Sequence, residues 1–291
     1  MDTRKAAAWR RHDRRWRDNR YAYAVVSRRS RGISVGINLN PEKACSFSCI
    51  YCQVDRKEKA ATLTVDLQVL AADLDRVIQA ERDGSLYDAP PFYLLAPEER
   101  GIRDIAFSGD GEPTAFRRFR EAVQIAASAR QRFGLERTRI VLITNAAHLK
   151  APRVKSALAL LDENNGEIWA KLDAGTEEYF RLVNRAKVPL ETILRNILDA
   201  ASVRPIVIQS LWFRIHGHLP PEAEFEAFCN RLNALLAEGA RIKNVQLYTI
   251  ARDPAESCVT PLSHEEVDAL ADTLRRHVPV SVESYYGLHT G

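Results

Sequence analysis

Three cysteines fall within eight residues, in the run Cys45-Ser46-Phe47-Ser48-Cys49-Ile50-Tyr51-Cys52. Three thiolates at C-x3-C-x2-C spacing on one short loop suit three irons of a 4Fe–4S cluster and leave the fourth iron without a protein ligand. An open coordination position marks a catalytic metal site, whereas a structural site is closed. Two plainer readings of the same residues are a zinc site whose fourth ligand lies elsewhere and a group of buried free thiols. Five cysteines in 291 residues do not make the framework of a disulfide-stapled secreted scaffold.

The elements that must position this loop are legible as apolar runs alternating with amphipathic stretches. Strand-like runs lie at 34–40, 102–107, 139–144, 168–173, 206–211 and 244–250, and helical patterns at 64–82, 115–133, 152–161, 189–202, 221–238 and 264–277. Successive βα units predict a parallel sheet. An eightfold barrel needs about 250 residues, and 33–277 supply six units and a proline-bearing loop at 84–101. The expected fold is therefore α/β, an incomplete (βα)6 TIM-like barrel. The rival doubly wound sheet lacks its glycine-rich fingerprint after the first strand, where the cysteine loop stands instead. Thr114 is expected to cap the helix after Pro113, and Gly134 and Gly239 to end helices. The expected organisation is a basic N-terminal extension at 1–32, the barrel at 33–277 and a C-terminal extension at 278–291 with a short strand at 279–285.

Side-chain alternation sharpens the reading. Val35, Ile37 and Leu39 share one face of the first strand and Ser34, Gly36, Asn38 and Asn40 the other; in the fourth, Ile168, Ala170 and Leu172 oppose Trp169, Lys171 and Asp173. Packed parallel strands are usually apolar on both faces. The polar faces point to a wet, functional lumen, with an ion pair of Lys171 and Asp173 as the structural alternative.

The cysteine run, with the aromatic Tyr51 before its last cysteine, resembles the signature of the radical S-adenosylmethionine (radical SAM) superfamily, whose barrel is an incomplete (βα)6. The resemblance implies a 4Fe–4S cluster on Cys45, Cys49 and Cys52 and S-adenosylmethionine chelating the open iron. Reductive cleavage then gives a 5′-deoxyadenosyl radical that abstracts a substrate hydrogen. The run Phe107-Ser108-Gly109-Asp110-Gly111-Glu112-Pro113-Thr114 resembles the superfamily's "GGE" motif, with Asp110 in place of its second glycine. Gly109 and Gly111 allow close backbone approach, and Glu112 can accept a charge-assisted bond from the methionyl ammonium. Tyr51, Lys171 and Asp173, with Asn145, Gln209 and Tyr248 on the third, fifth and sixth strands, complete the candidate cofactor-binding set.

Residues 28–32 and 36–41, 108–114, 171–175 and 249–252 are similar to the wyosine-forming enzymes that modify a tRNA guanosine. Those carry further N-terminal cysteines for a second cluster, and residues 1–44 contain none. Three substrate classes follow: RNA or tRNA, a protein activated by a radical, and a small metabolite. The rival class is a non-catalytic iron–sulfur electron carrier or redox sensor. The resemblance also implies a reductant such as flavodoxin or ferredoxin.

Charge bears on the partner. The net +4 divides into +8 over residues 1–32, from 11 Lys/Arg against 3 Asp/Glu, and −4 over the remainder. Phosphate contact with RNA is thereby an expectation for the head alone, a structural flap being its alternative. Trp9 and Trp16, seven apart, would share a helix face. No apolar run reaches the roughly 20 residues that span a bilayer, so the expected location is cytoplasmic and no membrane contact is expected. Cys229 reads as a buried thiol in a helix, Cys258 as a loop thiol at the functional rim, and His216-Gly217-His218 as a loop.

Overall fold

Alternating small and aromatic residues over 21–26, a turn at 28–31 and a second apolar run build a hairpin. Strand β1 (Ala22–Ser27) pairs antiparallel with β2 (Gly32–Ile37), Ala22 opposite Ile37. β1 lies within the stretch assigned from charge to the basic extension. The computed structural model describes residues 16–56 and 64–287, so Trp9 and residues 1–15 of the basic head lie outside the described residues. Its mostly parallel α/β sheet has eight strands. The chain divides into two units, one of Met1–Ala44, Lys59–Ile143 and Pro152–Glu167, the other of Cys45–Glu58, Thr144–Ala151 and Ile168–Gly291.

In the first unit helix α1 (Leu67–Arg82) starts at Asp66, whose side chain accepts from the Gln68 and Val69 N–H groups. Leu70, Leu74, Val77 and Ile78 recur at helical spacing and are fully buried, each contributing about 1.5–3 kcal/mol. On the same helix the buried Asp73 accepts from the Arg20 and Tyr21 N–H groups and so fixes the entry to β1. Strand β3 (Ile102–Phe107) pairs parallel with β2, and β4 (Arg139–Thr144) pairs parallel with β3. Helices α2 (Phe119–Arg132) and α3 (Pro152–Asp162) follow β3 and β4. The proline-bearing stretch 84–101 folds into three short 3-10 turns, beginning after Gly84 at φ 84°.

Thr114 does not cap α2. Glu112 instead caps a 3-10 turn over Pro113–Ala115, its carboxylate accepting the Thr114 N–H at 3.1 Å, and α2 begins four residues later without a side-chain cap. The carboxylate one residue before proline caps this turn because Pro113 stands at its first position. Gly134 and Gly239 do stand just past helix ends, at φ 61° and 94°.

The second unit contains the paired length of β5 (Gly166–Lys171), then α4 (Glu177–Asn184), α5 (Leu190–Val203), β6 (Ile206–Leu211), the short β7 (Arg214–Ile215), α6 (Glu222–Ala237), β8 (Ile242–Tyr248), the short β9 (Val259–Thr260), α7 (His264–His277) and β10 (Ser281–Tyr285). β5, β6, β8 and β10 run parallel in that order, with Lys171, Gln209 and Gln246 in one row and Leu211, Tyr248 and Tyr285 in another. Its core is aromatic: Trp212, fully buried, meets Phe225 at 4.8 Å and Phe228 at 5.5 Å, both edge-on. The six expected βα units are thus present, as β2–α1, β3–α2, β4–α3, β5 with α4 and α5, β6–α6 and β8–α7. The class is an incomplete (βα)6, TIM-like architecture.

Candidate functional site

The cysteine loop is anchored to the end of α4. The last carbonyls of a helix lack intrahelical partners, and here the Asn184 and Val183 oxygens accept the Ser48 and Ile50 N–H groups at 3.1 and 3.0 Å. Arg185 ends the helix in the left-handed region, φ 45°. Phe47 packs edge-on against Phe180 of α4 at 5.5 Å, and the Cys52 carbonyl accepts the Ala255 N–H at 2.9 Å.

Cys45, Cys49 and Cys52 are half-buried thiols outside any disulfide. Each sulfur is met by a side-chain N–H: Asn145 Nδ2 lies 3.8 Å from Cys45 Sγ, Asn184 Nδ2 3.5 Å from Cys49 Sγ and Arg56 Nη2 3.7 Å from Cys52 Sγ. Among the described residues no three His, Cys, Asp or Glu converge on a single metal ion. A 4Fe–4S cluster puts each thiolate on a different iron, so it needs no such convergence. Soft donors on one loop, outside any disulfide and surrounded by N–H donors, fit this group. Burial pushes the Cys49 thiol up to about 12, so without a metal it holds its proton.

Asn145, just after β4, is 6% exposed and also donates to Ser46 Oγ at 2.9 Å, while its own oxygen accepts the Ala147 N–H. Beside the loop, Asp173 is almost fully buried and accepts from four groups: Lys171 Nζ at 3.3 Å, Asn184 Nδ2 at 3.2 Å, the Leu211 N–H at 2.9 Å and the Tyr51 hydroxyl. Lys171 Nζ also donates to Tyr248 Oη at 2.7 Å and lies 5.1 and 5.2 Å from the Tyr51 and Tyr248 ring centres. Burial alone would lower the Lys171 ammonium; the charge of Asp173 and the bond to Tyr248 outweigh it and hold Lys171 above its ordinary value. Burial, reinforced by Asp173, lifts Tyr51 well above the usual tyrosine range. The ion pair expected as a structural alternative is therefore present.

Asn184 was not a candidate in the sequence. Its Oδ1 is buried with no hydrogen-bond partner, an arrangement that costs about 1–3 kcal/mol. Its Nδ2 faces Cys49, Asp173 and, at 3.0 Å, Tyr51 Oη. Arg56 and Glu224 were not candidates either. Buried Glu224 accepts the Gly175 and Thr176 N–H groups and fixes the chain just after Asp173. The cap signal Thr176-Glu177-Glu178 marks α4, and with it Asn184, in the sequence.

In the first unit the GDGE run folds back on β2 and the residues after it. Asp110 is held twice by Asn38, accepting from Nδ2 at 2.6 Å and donating its N–H to Oδ1 at 3.2 Å. A Cβ on Gly111 would stand 1.9 Å from the carbonyl oxygen of Ala44, the residue before Cys45, and one on Gly109 would stand 2.4 Å from Asn38 Oδ1. The nearest obstacle is thus a backbone oxygen at 111 and the Asn38 side chain at 109, with the Asn38 Cα at 2.9 Å beside it. Glu112, 2% exposed, also accepts the Thr114 hydroxyl.

The remaining candidates are dispersed. Gln209 is buried and donates to Gln246 Oε1 at 2.8 Å. Cys229 is buried in α6, its thiol raised to about 11 by that burial; Cys258 lies 4.0 Å from Glu256 Oε2. His216 and His218 are exposed on a tight turn, with His216 at φ 50° and Gly217 at φ 79°. Trp16 is buried, beneath the Arg17 guanidinium.

Fold and site together define a class, and the family comparison agrees: the Radical SAM superfamily model matches residues 39–232, and the chain belongs to that superfamily. The family carries a 4Fe–4S cluster and S-adenosylmethionine. Among curated proteins it is 28% identical over 178 residues to a UPF0026 protein of Synechocystis sp., covering 60% of this chain and 57% of that one. A UPF0026 protein of Methanocaldococcus jannaschii is 28% identical over 180 residues, 61% of this chain and 47% of its own. The GTPase Obg of Brachyspira hyodysenteriae is 27% identical over 161 residues, 55% of this chain and 20% of its own. The chain spans between a fifth and three-fifths of these relatives' length. Among solved structures, Streptococcus suis SuiB bound to S-adenosylmethionine has a TM-score of 0.54 at 11% identity, covering 88% of this chain and 49% of SuiB. A spore photoproduct lyase mutant with dinucleoside spore photoproduct has a TM-score of 0.57 at 11% identity, covering 93% and 80%. Both bear on the fold alone. No helix of the described residues is long and apolar enough to cross a membrane.

Proposed function

We propose that Cys45, Cys49 and Cys52 each ligate one iron of a single 4Fe–4S cluster and that the fourth iron is left for S-adenosylmethionine. The observation that carries this is the loop: three thiols outside any disulfide, each with a side-chain N–H donor, on a backbone tied to α4. When bound, the reduced cluster supplies the electron that cleaves the sulfonium, and hydrogen abstraction from the substrate follows. The chain's own residues bind and orient. Glu112 receives the methionyl ammonium, with Gly109 and Gly111 keeping the backbone close. Lys171, Asp173, Tyr51 and Tyr248 form a charged, hydrogen-bonded floor, Asn145 stands at the cysteine loop, and Gln209 stays a weaker candidate bonded to Gln246. The division of labour is a catalytic body at 33–277 between terminal extensions, served by a reductant of the flavodoxin or ferredoxin class.

Replacing any one of the three cysteines by Ala tests the ligand set. Each variant should lose the intact cluster on anaerobic reconstitution. Full iron loading with wild-type spectra in all three would contradict it.

The +8 charge of residues 1–32 favours RNA among the substrate classes. Removing residues 1–20 should then lower RNA affinity and flatten its salt dependence while the cluster is retained. Loss of folding instead would favour the flap.

A further inference from the structure

Asn184 closes α4 with its side chain 1% exposed, and its amide is aimed. Nδ2 faces Cys49 Sγ at 3.5 Å, Tyr51 Oη at 3.0 Å and Asp173 Oδ2 at 3.2 Å, while Oδ1 is buried without a partner. Turning the amide over would set that carbonyl against the Asp173 carboxylate and the Cys49 sulfur, both acceptors. Asp173 therefore fixes the N–H groups toward the sulfur. The same helix end holds Ser48 and Ile50 through backbone carbonyls. Cys49 is thus gripped on both flanks and at its sulfur by two consecutive residues, Val183 and Asn184.

Resting on the reading that the three cysteines carry the cluster, we propose that Asn184 is a positioning residue that donates an N–H···S bond to Cys49 and thereby raises the reduction potential of the cluster. Reduction adds negative charge that the sulfurs share, and an N–H pointed at a ligating sulfur stabilises the reduced form. Asn145 and Arg56 stand in the same relation to Cys45 and Cys52. Asn184 differs in sharing its donor group with Asp173, the partner of Lys171. The potential is thereby coupled to the charge arrangement around Lys171, which a bound molecule could rearrange.

The test uses the full chain, reconstituted anaerobically, with Asn184→Leu and Asn184→Ser beside the wild type. Iron and sulfide content are measured first, then the midpoint potential by a redox titration followed by electron paramagnetic resonance. Iron-replete variants should be harder to reduce, with the equilibrium constant for reduction lower by about threefold to tenfold; tenfold corresponds to 59 mV for a one-electron couple. Iron-replete variants with the wild-type potential would overturn the proposal. The wild-type chain carrying 15N-asparagine gives a second readout that does not depend on either variant folding. Coupling of 15N to the reduced cluster is expected. Asn145 is labelled too, so the coupling that counts is the one that persists in labelled Asn145→Ser; its absence there would overturn the proposal as well. A wild-type chain that takes up no 4Fe–4S cluster defeats instead the reading of the cysteine loop, and this inference with it.

Discussion

Lys171 on β5 reaches across β6 to donate to the Tyr248 hydroxyl on β8, 2.7 Å away. The register explains the reach, since Lys171, Gln209 and Gln246 stand in one row and Tyr248 two residues beyond. The ammonium bridges β8 and Asp173 just past the end of β5, beside the cysteine loop. Removing one member of a buried ion pair leaves the other uncompensated and costs about 3–5 kcal/mol. Because the Lys171 side chain keeps 19% exposure, Lys171→Met is expected to cost about 3 kcal/mol, at the low end of that range. In denaturant unfolding, Lys171→Met with Asp173→Asn should cost less than the two single changes summed. Additive losses would show that the two charges do not act as a pair.

Glu112 is the carboxylate assigned to the methionyl ammonium, and it is already held by the Thr114 N–H and hydroxyl. Glu112→Gln keeps the shape and removes the charge. With a charge-assisted hydrogen bond worth about 1.5–3 kcal/mol, S-adenosylmethionine should bind about 10- to 100-fold more weakly to the iron-replete variant. Unchanged affinity by calorimetry would remove Glu112 from the site.

The two glycines before it separate by what a Cβ would meet. At Gly111 the obstacle is the Ala44 backbone carbonyl, whereas at Gly109 the nearest atoms belong to the Asn38 side chain. Overpacking costs about 1–3 kcal/mol, and displacing Ala44 moves the residue that leads into Cys45. Gly111→Ala should therefore lose both thermal stability and iron occupancy, and more of each than Gly109→Ala. Equal behaviour of the two variants would contradict the assignment of the Ala44 contact.

Burial raises the Asp104 carboxyl above the ordinary range, against hydrogen bonds from Ser30 and Ser34 and the charge of Arg139. A carboxyl whose folded value is raised favours the fold while protonated. That benefit is full below the unfolded value near 3.9 and is lost as pH rises through the raised folded value. Denaturant midpoints taken between about pH 4 and pH 7 should fall in the wild type relative to Asp104→Asn. Parallel curves for the two proteins would refute the raised value.

How much of this was legible in the sequence follows physical lines. β3, β4 and β6 lie at the expected residues: β3 and β4 end just before Ser108 and Asn145, and β6 begins just after Pro205. β1 does not stand out, because Arg20 and Arg28 flank it and the charge of the head masks six residues of strand. α4 is eight residues long, too short for periodicity to declare, though its cap at Thr176 is a local signal. Chemistry carried by spacing, the three cysteines and the GDGE run, could be read directly. Chemistry carried by tertiary placement could not: Asn184 matters because a helix end lands on the cysteine loop, and Glu112 caps a 3-10 turn begun by Pro113 while α2 starts further on with no side-chain cap.

The central claim is that this chain uses a cysteine-held cluster to cleave S-adenosylmethionine. The direct measurement is anaerobic reconstitution, reduction with dithionite and quantification of 5′-deoxyadenosine after S-adenosylmethionine is added. The account predicts 5′-deoxyadenosine from the wild type and none from Cys45→Ala, Cys49→Ala or Cys52→Ala. A wild-type protein with a complete, reducible 4Fe–4S cluster that yields no cleavage product and no spectral change with S-adenosylmethionine would contradict it.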